Sequence, residues 1–295
     1  MTIIVAQHAR RADEAATVEA VLADLERRVT PEASFVVLPE NAFAVGDGVR
    51  ALPSRLRDQA LERLAELART RRAHVLTGSW AEPAAGGGLE QVARLGGGAR
   101  GGAPAAGGGG ARGPGRVHPD GGVGVELRRA VLADGSTGTG DDFPVVDTES
   151  GRVGVLLGPD FWLVEPPRIQ CLNGAELLLV AGSLDGRNRA AQAAAVWGIA
   201  TLNTVAVAFA SALGARSAGS SAIAMPERFL ARAGAEECLL EAGCEVEHIR
   251  YLREPDLRFQ QTLWFGLWAR RPQLYAALTD GPAPGTGADH RERVS

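Results

Sequence analysis

Short apolar runs and longer amphipathic stretches alternate along this chain. The runs Ile3 to Gln7, Ser34 to Pro39, His74 to Gly78, Val153 to Leu157 and Leu177 to Val180 are rich in valine, leucine and isoleucine. Runs of that length, bounded by polar or turn-forming residues, predict buried strands. Between the first two lies Glu14 to Arg28, where Val18, Val21, Leu22 and Leu25 fall on one helical face. Leu52 to Arg69 predicts a second amphipathic helix, and a third is expected near Pro166 to Asn173. The uncharged run from Ala190 to Ala215 is long enough to span a bilayer. Its alanine content and its Gln192, Asn203 and Thr204 fit a buried helix over 189–200 and a buried strand over 204–210 better. Strand-like stretches recur at Ser221 to Met225 and Cys244 to Tyr251, followed by a tryptophan-bearing segment over Gln260 to Arg271. Such alternation predicts an α/β domain.

One stretch breaks the pattern. Residues 84–122 hold 16 of the 38 glycines and only four large apolar side chains, Leu89, Val92, Leu95 and Val117. With so little to bury, the segment is expected to form neither core strands nor helices. Its arginines, Arg94, Arg100, Arg112 and Arg116, have no aromatic residue among them on which a base could stack, so a nucleic-acid role is a poor fit. Residues 84–140 are therefore read as a Gly/Ala/Arg-rich insertion, or as GC-rich coding sequence translated out of frame. Residues 276–295 are expected to form a disordered tail.

Composition narrows the chemistry. All 31 basic residues are arginine; there is no lysine in the 295 residues. Schiff-base chemistry, P-loop phosphate binding and lysine acid–base catalysis are thereby excluded. A formal charge of −4 gives no global reason to expect nucleic acid or an anionic membrane as partner. Three cysteines, Cys171, Cys238 and Cys244, are too few and too irregular for a disulfide framework, and their spacing matches no common zinc arrangement. The first residues run straight into a strand pattern without a basic leader, so a soluble, cytoplasmic protein is expected.

Several segments together resemble the nitrilase superfamily of carbon–nitrogen hydrolases. Val36-Val37-Leu38-Pro39-Glu40-Asn41 is similar to the strand end that bears that family's catalytic glutamate. Val146-Asp147-Thr148 followed by Gly151-Arg152-Val153-Gly154 resembles the hairpin before its nucleophile strand. Asp160, Glu165, Arg168 and Gly174-Ala175-Glu176 resemble the segment after the nucleophile. Ala218-Gly219-Ser220-Ser221-Ala222-Ile223 and Arg270-Arg271-Pro272-Gln273-Leu274-Tyr275 resemble the late strands and C-terminal region. The resemblance covers residues 1–275. It implies a four-layer α-β-β-α sandwich, a homodimer or higher homo-oligomer, and no redox, nucleotide or metal cofactor.

The resemblance also implies a Glu-Lys-Cys triad: a general base, an amine that stabilises the charged intermediate, and a nucleophile. Only Glu40 matches. Gly158 stands at the nucleophile position, and the following Pro159 lacks the N–H that commonly donates to an oxyanion at such an elbow. The best counterpart of the lysine is Arg116, in Gly115-Arg116-Val117-His118. Glu126 is the candidate for a second, supporting acidic residue, and Asp160 the other candidate binding group. Cys171, thirteen residues beyond Gly158, reads as a buried structural thiol rather than a replacement nucleophile.

Two functions compete. One is a homologue without covalent hydrolase activity that acts as a binding or assembly partner, with a pocket around Glu40 for a small amide-like or carboxylate ligand. The other is an active amidohydrolase in which Glu40, with Asp160 or another acid, activates water directly.

Overall fold

The computed structural model describes residues 1–45, 51–83, 89–97, 123–128, 140, 142–182, 189–214, 217, 219–254, 267 and 270–278. Among them, β1 (Thr2–Gln7), β2 (Ala33–Val37), β3 (His74–Pro83), β4 (Leu89–Gly97), β5 (Val123–Arg128) and β12 (Cys238–Gly243) form one sheet, in the order β12-β1-β2-β3-β4-β5. A second sheet has the order β11-β10-β9-β8-β7-β6, built from β6 (Val145–Thr148), β7 (Gly151–Leu157), β8 (Leu177–Gly182), β9 (Ala206–Ser211), β10 (Ala222–Met225) and β11 (Arg228–Arg232). β1, β2 and β3 run parallel, as do β7, β8 and β9; these central strands set the polarity of both sheets.

Alternation along each central strand sorts side chains into layers. Ile3, Val5, Phe35, Val37 and Leu76 face Val155, Leu157, Leu179, Ala208 and Ile223 across the middle of the molecule. The intervening Ile4, Ala6, Val36 and Leu38 pack outward on α1 (Glu14–Arg28) and α2 (Ser54–Arg71). On the other side Leu156, Leu178, Val180 and Phe209 pack on α3 (Glu165–Leu172) and α4 (Arg189–Asn203). Strands covered on both faces need apolar residues at every position, which is why they read as unbroken apolar runs. The result is a four-layer α-β-β-α sandwich.

Helix ends follow local chemistry. Asp13 caps α1, its Oδ1 accepting the Ala16 N–H at 2.7 Å. α2 closes on Arg72 in the left-handed conformation (φ 55°), whose N–H donates to the Ala68 carbonyl. The uncharged run 190–215 divides into α4 and β9, and no helix of the described residues is long and apolar enough to cross a membrane.

The structure departs from the sequence reading in three places. β4 lies inside the glycine-rich segment, where no strand is expected. Val92, Ala93 and Leu95 are buried there, and the hydrogen bonds to β3 and β5 depend on backbone, not on side-chain bulk. Over Cys244 to Tyr251 the chain forms a helix, α5 (Val246–Leu252), whose Val246, Ile249 and Leu252 are buried at a three-residue spacing. The strand is the preceding β12; like β11 it is an edge strand with mixed exposure, so it carries little apolar signal. At the C-terminus, Ala276–Leu278 forms a short 3-10 turn where a tail without structure is expected. The rest of that tail, and most of Gln260 to Arg271, lie outside the described residues.

Candidate active site

Glu40 follows the C-terminal end of β2, two residues past Leu38, whose N–H donates to the Leu76 carbonyl at 3.0 Å. It forms an isolated parallel bridge with Ser79 of β3 and is 6% exposed. Its backbone N–H donates across to the Gly182 carbonyl of the other sheet at 3.1 Å. Two left-handed residues shape this crossing. Asn41 turns the chain away at φ 51°. Gly78 sits at φ 73°, where a Cβ would lie 2.3 Å from the Pro39 carbonyl oxygen, so only glycine fits beneath it.

Gly158 reaches the same place from the second sheet. Leu157 is the register partner of Ala181 in the parallel pairing of β7 with β8, so the two strands deliver Gly158 and Gly182 to the same edge of the sheet. Gly158 adopts φ 52° and opens a 3-10 turn over Gly158–Trp162. The strand, the left-handed residue and the helical turn make an elbow at the sheet's C-terminal edge, where open α/β sheets gather ligands. Phe161, fully buried against Phe209 with ring centroids 4.9 Å apart, pins the turn from the helix side. Asp160 is buried in that turn. Glu40, Gly158 and Asp160 are thus brought to one end of the sandwich.

The remaining candidates divide. Arg116 lies outside the described residues. Glu126 stands on β5 opposite Arg94, with 3.6 Å between guanidinium and carboxylate. Its neighbour Leu127 faces the inter-sheet core, so Glu126 faces outward, away from the inner layer where the two sheets meet. Cys171 sits on α3 in the helix–sheet layer, and burial pushes its thiol up to about 12. Cys244 is likewise raised by burial, to about 11, with its Sγ 3.4 Å from the Met225 sulfur. Burial also raises Cys238, on the edge strand β12. Reactive thiolates have lowered pKa values and open surroundings, and none of the three meets that description. Among the described residues, no three His, Cys, Asp or Glu side chains could share a metal ion.

Other segments of the resemblance prove architectural. Glu176, at the opposite end of β8 from Gly182, accepts from the Arg152 N–H at 2.9 Å and from Arg250 Nε at 2.5 Å. Burial pushes its carboxyl up, but those two donors outweigh burial and hold it below the ordinary carboxylate range. Gly219 and Ser220, at φ 67° and 63°, turn the chain so that the Ser221 N–H donates to Gln7 Oε1 at 2.9 Å.

Two residues missed by the sequence reading connect to Glu40, one directly and one through the other. Ser79 is its bridge partner, and Ser79 Oγ donates to Gln91 Oε1 at 3.0 Å. Gln91 is fully buried on β4, two residues from inward-facing Ala93. The alternation Gln91, Ala93, Leu95 is the signal that could have found it. A cavity of about 10 Å3 lies against Ser79 and Asn41, room for roughly one water.

No family model and no curated protein matches the chain at the sequence level. Solved structures do match. A carbon-nitrogen hydrolase from Helicobacter pylori G27 superposes with a TM-score of 0.74 at 21% identity, over 95% of this chain and 98% of that one. An amidase of the nitrilase superfamily from Nesterenkonia AN1 gives 0.69 at 20% identity, over 94% and 97%. A branch 10 member from Saccharomyces cerevisiae gives 0.68 at 17% identity, over 86% and 93%. At such identities it is the shared architecture that is established, and the chain has the fold of the nitrilase-superfamily carbon–nitrogen hydrolases.

Proposed function

We propose that the chain is an amidase-like carbon–nitrogen hydrolase homologue that binds a small amide-like or carboxylate ligand at the Glu40 end of the sandwich without hydrolysing it covalently. One observation carries the reading. The residue at the elbow of β7, on the sheet edge where Gly182 accepts from the Glu40 N–H, is Gly158, which has no side chain to attack a carbon. Pro159 removes a further oxyanion donor, a loss that in other enzymes costs about 2.7–4 kcal/mol of transition-state stabilisation. The described cysteines sit elsewhere with raised pKa values.

A glutamate-to-glutamine mutant of the Nesterenkonia amidase has been captured with acrylamide and with the acetamide moiety of fluoroacetamide added at its active site cysteine. The same two reagents test the present chain. Intact-mass measurement at neutral pH is expected to show no stoichiometric adduct, and acetamide is expected to release no ammonia. Turnover of acetamide at ordinary enzyme rates, abolished by Glu40→Gln, would overturn the proposal. Turnover without any adduct would instead support direct water activation by Glu40 and Asp160.

The reading extends to a cytoplasmic homodimer. Free thiols suit a reducing compartment, and Ile169 and Leu172 on α3 with Leu202 on α4 leave apolar side chains exposed where the Arg168 guanidinium meets the Leu202 carbonyl. Light scattering is expected to give twice the chain mass; a monomer at micromolar concentration would contradict the assembly.

A further inference from the structure

We propose that Gln91 is a ligand-binding residue of the Glu40 site, presenting its side-chain N–H to the oxygen of a bound carboxamide. Four glutamines of the described residues are buried: Gln7, Gln91, Gln170 and Gln192. Three of them donate twice from Nε2 to backbone carbonyls. Gln7 holds Gly234 and Glu236, Gln170 holds Val155 and Pro144, and Gln192 holds Gly219 and Ser220. Gln91 donates to nothing among the described residues, although its Nε2 is sealed from solvent. An orphaned buried amide donor costs about 1–3 kcal/mol, so a position that keeps one points to a partner arriving from outside the chain.

The placement says which partner. Ser79 Oγ fixes the amide by donating to Oε1, which turns Nε2 away from β3. Turning the amide over would only transfer the vacancy to the oxygen. Gln91 pairs with Ala81 near the C-terminal end of β3 and faces the inner layer, and Ser79 is the bridge partner of Glu40. Ser79 therefore links Gln91, through its hydroxyl, to Glu40, through the backbone bridge, at the end where the Glu40 N–H meets the Gly182 carbonyl. A primary amide offers an oxygen to the Gln91 donor and an N–H to the Glu40 carboxylate. A carboxylate ligand would set like charge against Glu40. The inference rests on the ligand-binding reading above and sharpens it to carboxamides.

The test titrates acetamide and acetate into the full chain, followed by protein NMR. Wild type is expected to bind acetamide more tightly than acetate, and Glu40→Gln to narrow that preference. Gln91→Met, close in shape but without donor hydrogens, is expected to weaken acetamide about threefold to tenfold while the melting temperature holds or rises. Acetamide affinity within twofold of wild type in Gln91→Met would overturn the inference and leave the ligand reading intact. Should Gln91→Met destabilise the chain by orphaning Ser79, the double variant with Ser79→Ala removes both partners. Affinity that recovers together with stability in the double variant assigns Gln91 a structural role and overturns the inference, whereas affinity that stays low supports it. Failure of wild type to bind acetamide overturns both readings. Hydrolysis through a cysteine adduct overturns only the non-covalent reading, and Gln91→Met is then expected to raise KM.

Discussion

The proposed chemistry turns on Gly158 more than on any other residue. It is left-handed at φ 52°, a conformation that costs an L-residue about 1–2 kcal/mol. Gly158→Cys is accordingly expected to lower stability by about that amount in urea unfolding. It is also expected to leave acetamide hydrolysis undetectable, because Pro159 and the absent lysine are not restored. Robust turnover in that variant would show that the thiol alone was missing. A second residue-scale prediction concerns pH. Burial lowers the pKa of His74, which lies against the Phe35 ring with centroids 5.3 Å apart, against a smaller upward pull from Glu149. Burial lowers His8 as well. Below the ordinary histidine value of about 6.5 the unfolded chain then binds more protons than the native one. Stability is therefore complete above that pH and is lost as pH falls through it. The melting temperature is expected to drop between pH 7 and pH 5.5, and less steeply in His74→Phe. Equal slopes would exclude His74 as a source.

At the scale of elements, local signals and tertiary context can be separated. α1 was legible from its apolar face, and the structure begins and ends it at Glu14 and Arg28, adding the Asp13 cap. α2 ends on a residue poorly suited to its conformation. Arg72→Gly at φ 55° is expected to raise stability by about 1 kcal/mol, since glycine carries no Cβ penalty there. A lower melting temperature in that variant would mean that the arginine side chain contributes more than its backbone costs. β4 and α5 were misread for opposite reasons. β4 has few bulky residues yet lies between two partners that supply its hydrogen bonds, so pairing overrides composition. In α5 the short apolar stretch suited either period, and only the burial of Val246, Ile249 and Leu252 settles it.

For the whole molecule, the question is what locks two sheets into one register. Much of the answer is Gln7, buried at the end of β1. Its Oε1 accepts from the Ser221 N–H beside β10, and its Nε2 donates to Gly234 at 3.0 Å and Glu236 at 2.8 Å in the β11–β12 connection. Gly219 leaves the space this side chain fills; a Cβ there would lie 2.6 Å from the amide. Gln7→Ala strands three backbone groups and is expected to cost about 3 kcal/mol, read as a shift of the urea midpoint. Loss below about 1 kcal/mol would mean that water replaces the amide. Most of the described family-like segments belong to this kind of architecture: the Arg152–Glu176–Arg250 group and the Gly219-Ser220 turn position strands, while Glu40 and the Gly158 elbow stand at the site end.

By itself the sequence determined the α/β class, the course of the central strands, Glu40, and the absence of a lysine and of a thiol at position 158. Each of these is a local fact, carried by periodicity or by the identity of a single residue. Only the tertiary structure decided that Glu40 and Gly158 come to the same end of the sandwich, that Glu126 faces away from it and that Gln91 faces in. Those properties depend on which backbone atoms lie opposite which side chains across two sheets, and residues far apart in the chain share no pattern that a one-dimensional period can record.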